Sequence, residues 1–291
     1  MEELRDMSDP VLVGTDGSAC ADSAVDWAAD DAALRGRPLQ IVHSVDKGLY
    51  ELPLFSPGQM AHQVAEAGER ILAEAARRAR ERRPGVEVTT DLVAEGTATA
   101  LEQRSRNAFE LVVGNRGMGG FASLLVGSTS LRMAGHAAGP VVIVRGDVVP
   151  GHNEIVAGID LEADPAETLR YAFEAAALRG ARIRVMYAWR LGETLGRAGE
   201  LDDKDVQEKL RWEVVKAHEP WRKTYPGIDV VEDVLQEHPV TALCDASRAA
   251  DLVVVGAHDH NWFDVPRLGS VSHGVVHHAE CPVVIARART H

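Results

Sequence analysis

The sequence predicts two copies of a doubly wound α/β domain, each with a parallel sheet between layers of helices. The first observation is a repeat, because "VLVGTD" ending at Asp16 returns as "IVAGID" ending at Asp160. The second is that each copy alternates short β-branched runs with amphipathic stretches, which is typical of buried parallel strands joined by helices. The third is the length of 291 residues, which suits two domains of ordinary size.

The repeat keeps a nearly constant spacing along the chain. "AALRG" ends at Gly36 and again at Gly180, 144 residues later, whereas "HAAGPVVIVR" from His136 matches "HAECPVVIAR" from His278, 142 residues later. A net deletion of two residues between Gly36 and Pro84 reconciles the two spacings. We therefore place the copies at residues 8–147 and 153–289, with a short linker between them.

The first copy shows the order of elements expected for a Rossmann-like domain. Strands are predicted at "VLVGT", "LQIVHS", "VEVTTDLV", "LVVGN" and "VVIVR". Helices are predicted between them at residues 23–35, 63–82, 97–108 and 129–137, the first with its apolar residues on one stripe. Right-handed crossovers then place helices on both faces of the sheet.

Composition and charge restrict the possible partners and location. Hydrophobic residues at 45% and charged residues at 26% are typical of a globular protein, and the formal net charge of −13 argues against nucleic acid and anionic membranes. The first ten residues carry acids where a signal peptide has a basic segment, and no stretch has the length of a membrane helix. Three cysteines without CxxC spacing indicate reduced thiols. We predict a cytoplasmic protein.

A glycine motif follows the fourth predicted strand of the first copy. "GNRGMGGFASLLVGSTS" starts where a buried strand ends, and its glycines are expected to adopt positive φ and to let a ligand approach closely. It finishes at a helix start, where unpaired backbone N–H groups and the helix dipole favour an anion. The pattern predicts a phosphate site made by Gly114, Gly117, Gly127, Ser128, Thr129 and Ser130.

Asp16, Gly17 and Ser18 end the first strand and form a second candidate element. A carboxylate at this position can accept hydrogen bonds from ribose hydroxyls, although it could equally cap the helix that follows. The glycines of the loop could likewise serve only as turns. The sequence contains neither a Gly-Lys-Ser/Thr phosphate loop nor a GxGxxG motif after the first strand, which argues against those nucleotide-binding families.

At these residues the chain resembles the universal stress protein family, twice and over essentially its whole length. The resemblance rests on "VGTDGS", "IVHSV", the glycine motif and the terminal "PVVIVR". It implies the strand order 3-2-1-4-5, so that the first and fourth strands are neighbours where the winding reverses and ligands bind. It also implies that the last strands of the two halves pair as a pseudo-dimer, and a homodimer of the whole chain is expected in addition.

The resemblance further implies that the first copy binds ATP. Asp16 would hold the ribose, Ser44 would offer backbone groups to the adenine, and the glycine motif would hold the phosphates. ATP usually carries Mg²⁺, so a magnesium ion bridging the phosphates near Asp16 is also considered. The full expected set is Gly14, Thr15, Asp16, Gly17, Ser18, Ser44, Gly96, Val113, Gly114, Arg116, Gly117, Gly127, Ser128, Thr129 and Ser130.

The second copy departs from this pattern. Leu161 and Glu162 follow Asp160, and Asp259 replaces the middle glycine of the loop. An acid about 4 Å from a phosphate charge would cost on the order of 4 kcal/mol at an effective dielectric constant near 20, unless a metal or His258 and His260 offset it. We therefore predict weak, altered or absent nucleotide binding here. A weaker second site would use Asp160, Ala188, Gly256, Gly269, Ser270, Val271 and Ser272.

Metal binding and catalysis are not favoured by the sequence. His258, Asp259, His260 and Asp264 are suitable zinc ligands, but compact spacing on a loop is common without metal, and we predict no metal site. The motifs assemble no activated nucleophile, which predicts a regulatory or stress-response protein with little or no turnover. Two alternatives stay open, namely a slow ATPase or other adenine-nucleotide α-hydrolase-like enzyme, and a nucleotide-independent scaffold.

Overall fold

The chain divides into two compact units. The first contains residues 1–147 and 288–291, and the second contains residues 148–287. This computed structural model describes residues 9–45, 57–118, 125–145, 151–190, 203–257 and 268–289. Each unit is an α/β domain built on its own parallel strands.

The first unit contains five strands and four helices in its described part. The strands are β1 (Val11–Gly14), β2 (Leu39–Ser44), β3 (Val88–Val93), β4 (Glu110–Gly114) and β5 (Val141–Val144). The helices are α1 (Ala19–Arg35), α2 (Pro57–Arg82), α3 (Thr97–Ser105) and α4 (Ser128–His136). The order β3-β2-β1-β4-β5 confirms the prediction, and β1 pairs in parallel with both β2 and β4.

The second unit repeats this topology. Its strands are β6 (Glu154–Gly158), β7 (Arg182–Ala188), β8 (Val230–Leu235), β9 (Leu252–Gly256) and β10 (Val283–Ala286). Its helices are α5 (Ala166–Arg179), α6 (Asp203–Thr224), α7 (Pro239–Ser247) and α8 (Ser270–His278). The strand order β8-β7-β6-β9-β10 is again 3-2-1-4-5, with β6 between β7 and β9.

The central strands form the core of each unit. Val11, Leu12 and Val13 of β1 are fully buried, as are Ile155 and Val156 of β6. Strands covered on both faces read as continuous apolar runs rather than alternating ones. This is why the repeated β-branched segments identified the strands so well.

Three helix boundaries differ from the prediction by three residues or more, and the fourth helix is shifted by one residue. The helix expected from residue 63 begins at Pro57. The helix expected from residue 23 begins at Ala19, because Ser18 caps it and accepts the N–H of Ala21 at 3.3 Å. The helix expected to reach residue 108 ends at Ser105. The earlier start matters because it places the first turn of α1 beside the end of β4.

Charged side chains join α1 to α2 on the outside of the first unit. Arg78 binds Asp26 through two hydrogen bonds of 2.6 Å. Arg82 and Arg83 both bind Asp30, at 2.6 Å and 2.8 Å. These partly exposed pairs fix the two helices against each other, and each contributes little stability on its own.

The described segments contain neither a membrane-spanning helix nor a disulfide. Among the helices of the described segments, none combines the length and the apolar character that a membrane crossing needs. All three cysteines lie in described segments, and none forms a disulfide.

Candidate functional site

Asp16 lies at the carboxyl end of β1, where the winding of the sheet reverses. Its Oδ1 accepts the N–H of Ser18 at 3.0 Å, and its Oδ2 accepts the N–H of Met118 at 2.7 Å. Met118 follows β4, the strand that pairs with β1. The carboxylate therefore connects the end of one central strand to the loop after its neighbour.

The glycines of the loop are required for a different reason from the one predicted. Gly114, Gly117 and Gly127 do not adopt positive φ, so that expectation was wrong, whereas Gly17 does at φ 79°. A Cβ on Gly114 would lie 2.6 Å from the carbonyl oxygen of Cys20 in α1, and a Cβ on Gly117 would overlap Asp16 Oδ2. A side chain is disfavoured at both positions by close contact rather than by an unusual backbone angle. The contact is with the backbone of Cys20 at Gly114 and with the side chain of Asp16 at Gly117.

The start of α4 is anchored to the end of β4. The N–H of Gly127 donates to the carbonyl of Asn115 at 2.7 Å, and the buried hydroxyl of Ser130 donates to the carbonyl of Gly114 at 2.7 Å. Gly127 occupies the N-cap position and provides no side-chain cap. The amides of Ser128 and Thr129 therefore lack both intrahelical partners and a side-chain cap.

The other side of the crevice is formed at the end of β2. The Ser44 hydroxyl donates to the carbonyl of Glu95, next to Gly96 at the start of α3. His43 Nδ1 lies 2.8 Å from the carbonyl oxygen of Thr15, within hydrogen-bonding distance. Sequence reasoning did not assign His43 a position in the site. The signal was a polar residue ending the buried run "IVHSV".

The other residues predicted for the ATP site are either packed in the interior or exposed in the loop. Val113 is 3% exposed within β4, and Gly14 packs tightly, since a Cβ there would lie 3.1 Å from Leu101. Thr15 is also buried, and its Oγ1 accepts the N–H of Gly17 at 3.2 Å. Arg116 is exposed in the loop. Buried side chains such as Val113 leave only their backbone groups for a ligand.

Asp22 in the first turn of α1 is close enough to Asp16 for the two negative charges to repel each other. Burial raises the pKa of Asp22 in the first turn of α1, and Arg78 opposes this shift. The nearby negative charges, among them that of Asp16, raise this pKa further. A polyanionic ligand at this crevice would therefore gain from an accompanying cation.

The second unit keeps part of this arrangement. Asp160 Oδ1 accepts the N–H of Glu162 at 2.9 Å, as Asp16 does with Ser18. Gly269 occupies the N-cap position of α8 and provides no side-chain cap, and the Ser272 hydroxyl donates to the carbonyl of Gly256 at 2.6 Å. Of the weaker site's other members, Ala188 ends β7, and Ser270 and Val271 form the first turn of α8.

The second unit differs around the end of β9. Its helix α5 begins only at Ala166, with Pro165 at the N-cap position and no side-chain cap. A Cβ on Gly256 would lie 3.4 Å from Thr168 Oγ1, an ordinary contact distance. The replacement of the middle loop glycine by Asp259, together with the neighbouring His258, His260 and Asp264, lies outside the described residues. Within the described segments, no group of three metal-ligating side chains occurs.

The strand order 3-2-1-4-5 places each unit in the class of doubly wound α/β domains. The family model described as "Universal stress protein family" matches residues 7–145 and 152–287. The chain therefore belongs to the universal stress protein family and contains two copies of its domain.

Individual relatives agree over nearly the full length. Universal stress protein Rv2005c of Mycobacterium tuberculosis is 32% identical, covering 95% of this chain and 96% of its own. A universal stress protein of Mycolicibacterium smegmatis is 31% identical, covering 96% of this chain and 97% of its own. The crystal structure of a universal stress protein from Archaeoglobus fulgidus matches with a TM-score of 0.72 at 18% identity, covering 97% of this chain and 98% of its own, and supports the fold.

Proposed function

We propose that the first unit binds ATP in the crevice between the ends of β1 and β4, and that the protein is a regulatory stress protein with little or no turnover. The observation that carries this proposal is the uncapped start of α4, anchored to β4 by Ser130 and Gly127. Backbone N–H groups at such a position bind phosphate because the helix dipole adds to their hydrogen bonds.

The parts of ATP match the parts of the crevice. The phosphates would meet the amides of Ser128, Thr129 and Ser130, whereas the ribose hydroxyls would donate to Asp16. An ionised carboxylate has about four acceptor positions, so the two N–H groups already bound to Asp16 leave room for a hydroxyl. The adenine would lie toward Ser44 and Gly96. The negative charge of Asp16 favours Mg²⁺ as the companion of the triphosphate.

Low turnover is proposed from the roles the nearby side chains already have. His43 is in contact with the carbonyl oxygen of Thr15, and Ser130 donates its hydroxyl proton to Gly114. A nucleophile needs a base within hydrogen-bonding reach, and these two groups are committed to the backbone. Slow hydrolysis is the principal alternative, and product analysis for ADP, AMP and pyrophosphate distinguishes it from simple binding.

The second unit is proposed to bind nucleotide weakly or not at all. It retains the uncapped start of α8 but not the glycine-serine pair that follows Asp16, and Glu162 adds a negative charge close to Asp160. A cytoplasmic location, a homodimer, paired terminal strands, and the lack of nucleic-acid and membrane partners stay predictions.

One pair of substitutions tests the phosphate contact directly. Ser128 is the first residue of α4, where proline fits the helix but removes the N–H group. We expect Ser128→Pro to weaken ATP binding by at least about tenfold, since hydrogen bonds to charged groups contribute about 1.5–3 kcal/mol. Ser128→Ala, which keeps the amide, is the matched control in a calorimetric titration. Equal ATP affinities for the two variants would refute the amide contact.

A further inference from the structure

Asp16 makes two contacts of different kinds. The contact of Oδ1 with Ser18 is local and shapes the turn before α1. The contact of Oδ2 with the N–H of Met118 joins residues 102 positions apart, at 2.7 Å. A charge-assisted hydrogen bond of this length is among the stronger kind found in proteins.

The loop packs closely against the side chain of Asp16 at Gly117 and Met118. Gly117 lies against Oδ2, in a position where a Cβ would overlap the oxygen atom. Arg116, Gly117 and Met118 are all exposed, and Met118 is 70% exposed, so burial in the core does not anchor their side chains. The carboxylate is therefore a fixed point for this exposed part of the loop.

The same part of the loop passes beside the phosphate-binding helix start. A Cβ on Gly127 would lie 3.7 Å from the Cα of Arg116 and 3.7 Å from the carbonyl oxygen of Asn115. Gly127 in turn donates its N–H to that carbonyl. A shift of the loop at Met118 would therefore alter the space directly in front of α4.

We infer that Asp16 is a positioning residue for phosphate binding, because it holds the glycine loop in place beside α4, in addition to any contact with the ribose. This inference rests on the proposed function. It separates two roles of one carboxylate, since the loop contact is present without any sugar. Part of the ATP affinity attributed to the ribose would then be phosphate affinity that depends on the loop.

Electrostatics and positioning predict opposite effects of removing Asp16. Deleting a negative charge near a polyanion strengthens binding by Coulomb's law. Losing the fixed point of the loop weakens binding, since amides must be held in place to act without reorganisation. A probe that has phosphates but no ribose hydroxyls distinguishes the two, and 2′,3′-dideoxy-ATP has this property.

The first experiment measures the affinity of the full chain for 2′,3′-dideoxy-ATP and for ATP. We expect Asp16→Ala to weaken dideoxy-ATP binding by about tenfold, which is the size of one lost charge-assisted hydrogen bond. Asp16→Asn keeps an acceptor oxygen and should recover part of this loss. Asp30→Ala is the matched control, because Asp30 also accepts through both oxygens, in the same unit, but on the outer face of α1.

A double-mutant cycle provides a second, independent test. Gly117→Ala should weaken dideoxy-ATP binding in the wild-type background, where the new methyl group meets Asp16 Oδ2. It should have much less effect in the Asp16→Ala background, where that oxygen is absent. Denaturant unfolding of each variant identifies any that fail to fold.

The outcomes separate this inference from the proposed function. Unchanged or tighter dideoxy-ATP binding by Asp16→Ala, or strictly additive effects in the cycle, would overturn the positioning role while leaving ATP binding intact. Wild-type protein that binds ATP but not dideoxy-ATP would overturn it as well, because the hydroxyl contact would then account for the role of Asp16. Wild-type protein that binds neither nucleotide would refute the proposed function itself.

Discussion

The two units have the same strand order but differ at one helix start. In the first unit, Gly17 adopts φ 79° and Ser18 caps α1, which brings the carbonyl of Cys20 against Gly114. In the second unit, Leu161 and Glu162 take the places of Gly17 and Ser18, and α5 begins only at Ala166. The end of β4 is thus closely covered by α1, whereas Gly256 at the end of β9 meets the side chain of Thr168.

This contrast distinguishes the contacts that form the framework of the fold from those that we connect with ATP binding. The serine hydroxyl that donates to the strand carbonyl is present in both units, at 2.7 Å from Ser130 and 2.6 Å from Ser272. We assign a contact kept in both units to the framework, which in the first unit also holds the start of α4 in place for phosphate. The close approach around Gly114, and the glycine-serine pair after Asp16, occur only in the first unit and are the features we connect with ATP.

The largest expected effect comes from adding a methyl group at the end of the fourth strand. Gly114→Ala should lower the free energy of unfolding by about 1–3 kcal/mol, because the Cβ would meet a backbone carbonyl that cannot rotate away. It should also abolish ATP binding by displacing α1 from the crevice. Chemical denaturation and an ATP titration measure the two effects.

Gly256→Ala is the corresponding change in the second unit. Its Cβ would lie 3.4 Å from a threonine hydroxyl, so we expect a change in unfolding free energy of less than about 1 kcal/mol and unaltered ATP affinity. If Gly256→Ala destabilised the protein as much as Gly114→Ala, the proposed difference between the strand ends would be wrong.

The next effect tests which contacts belong to the framework. Ser130→Ala and Ser272→Ala each remove one hydrogen bond to a buried strand carbonyl and should each lower the unfolding free energy by about 1 kcal/mol. Only Ser130→Ala should weaken ATP binding, by loosening the start of α4. If the two variants differed in unfolding free energy but bound ATP with equal affinity, our assignment of these serines would be wrong.

The smallest effect concerns the ion pairs. Arg82 and Arg83 of the first unit bind Asp30 across two helices, whereas Arg170 of the second binds Glu167 and Glu174 on its own helix. We expect Asp30→Ala to cost up to about 1 kcal/mol and Glu174→Ala a few tenths, both decreasing as salt rises. A loss that is independent of salt would contradict an electrostatic origin.

The sequence predicted those features that residue types determine. Buried parallel strands are apolar throughout, so β1, β4 and their repeats were found directly, and the glycine motif correctly marked an uncapped helix start. The bond between Asp16 and Met118 could not be predicted, because its donor is a backbone N–H group that every residue except proline carries. The contact of Gly117 with Asp16 was not predicted for a related reason, since a close contact depends on which segments meet in space.

The number of ATP molecules bound per chain tests the central claim most directly. Ser128 and Ser270 are the first residues of α4 and α8, and both follow an uncapped glycine with extended backbone, so Ser128→Pro and Ser270→Pro are matched changes. At an ATP concentration of about ten times the wild-type Kd, equilibrium dialysis should find nearly one ATP per chain in the wild type and in Ser270→Pro, and about half of one or less in Ser128→Pro. Loss of ATP in Ser270→Pro with retention in Ser128→Pro would contradict the assignment of the site to the first unit.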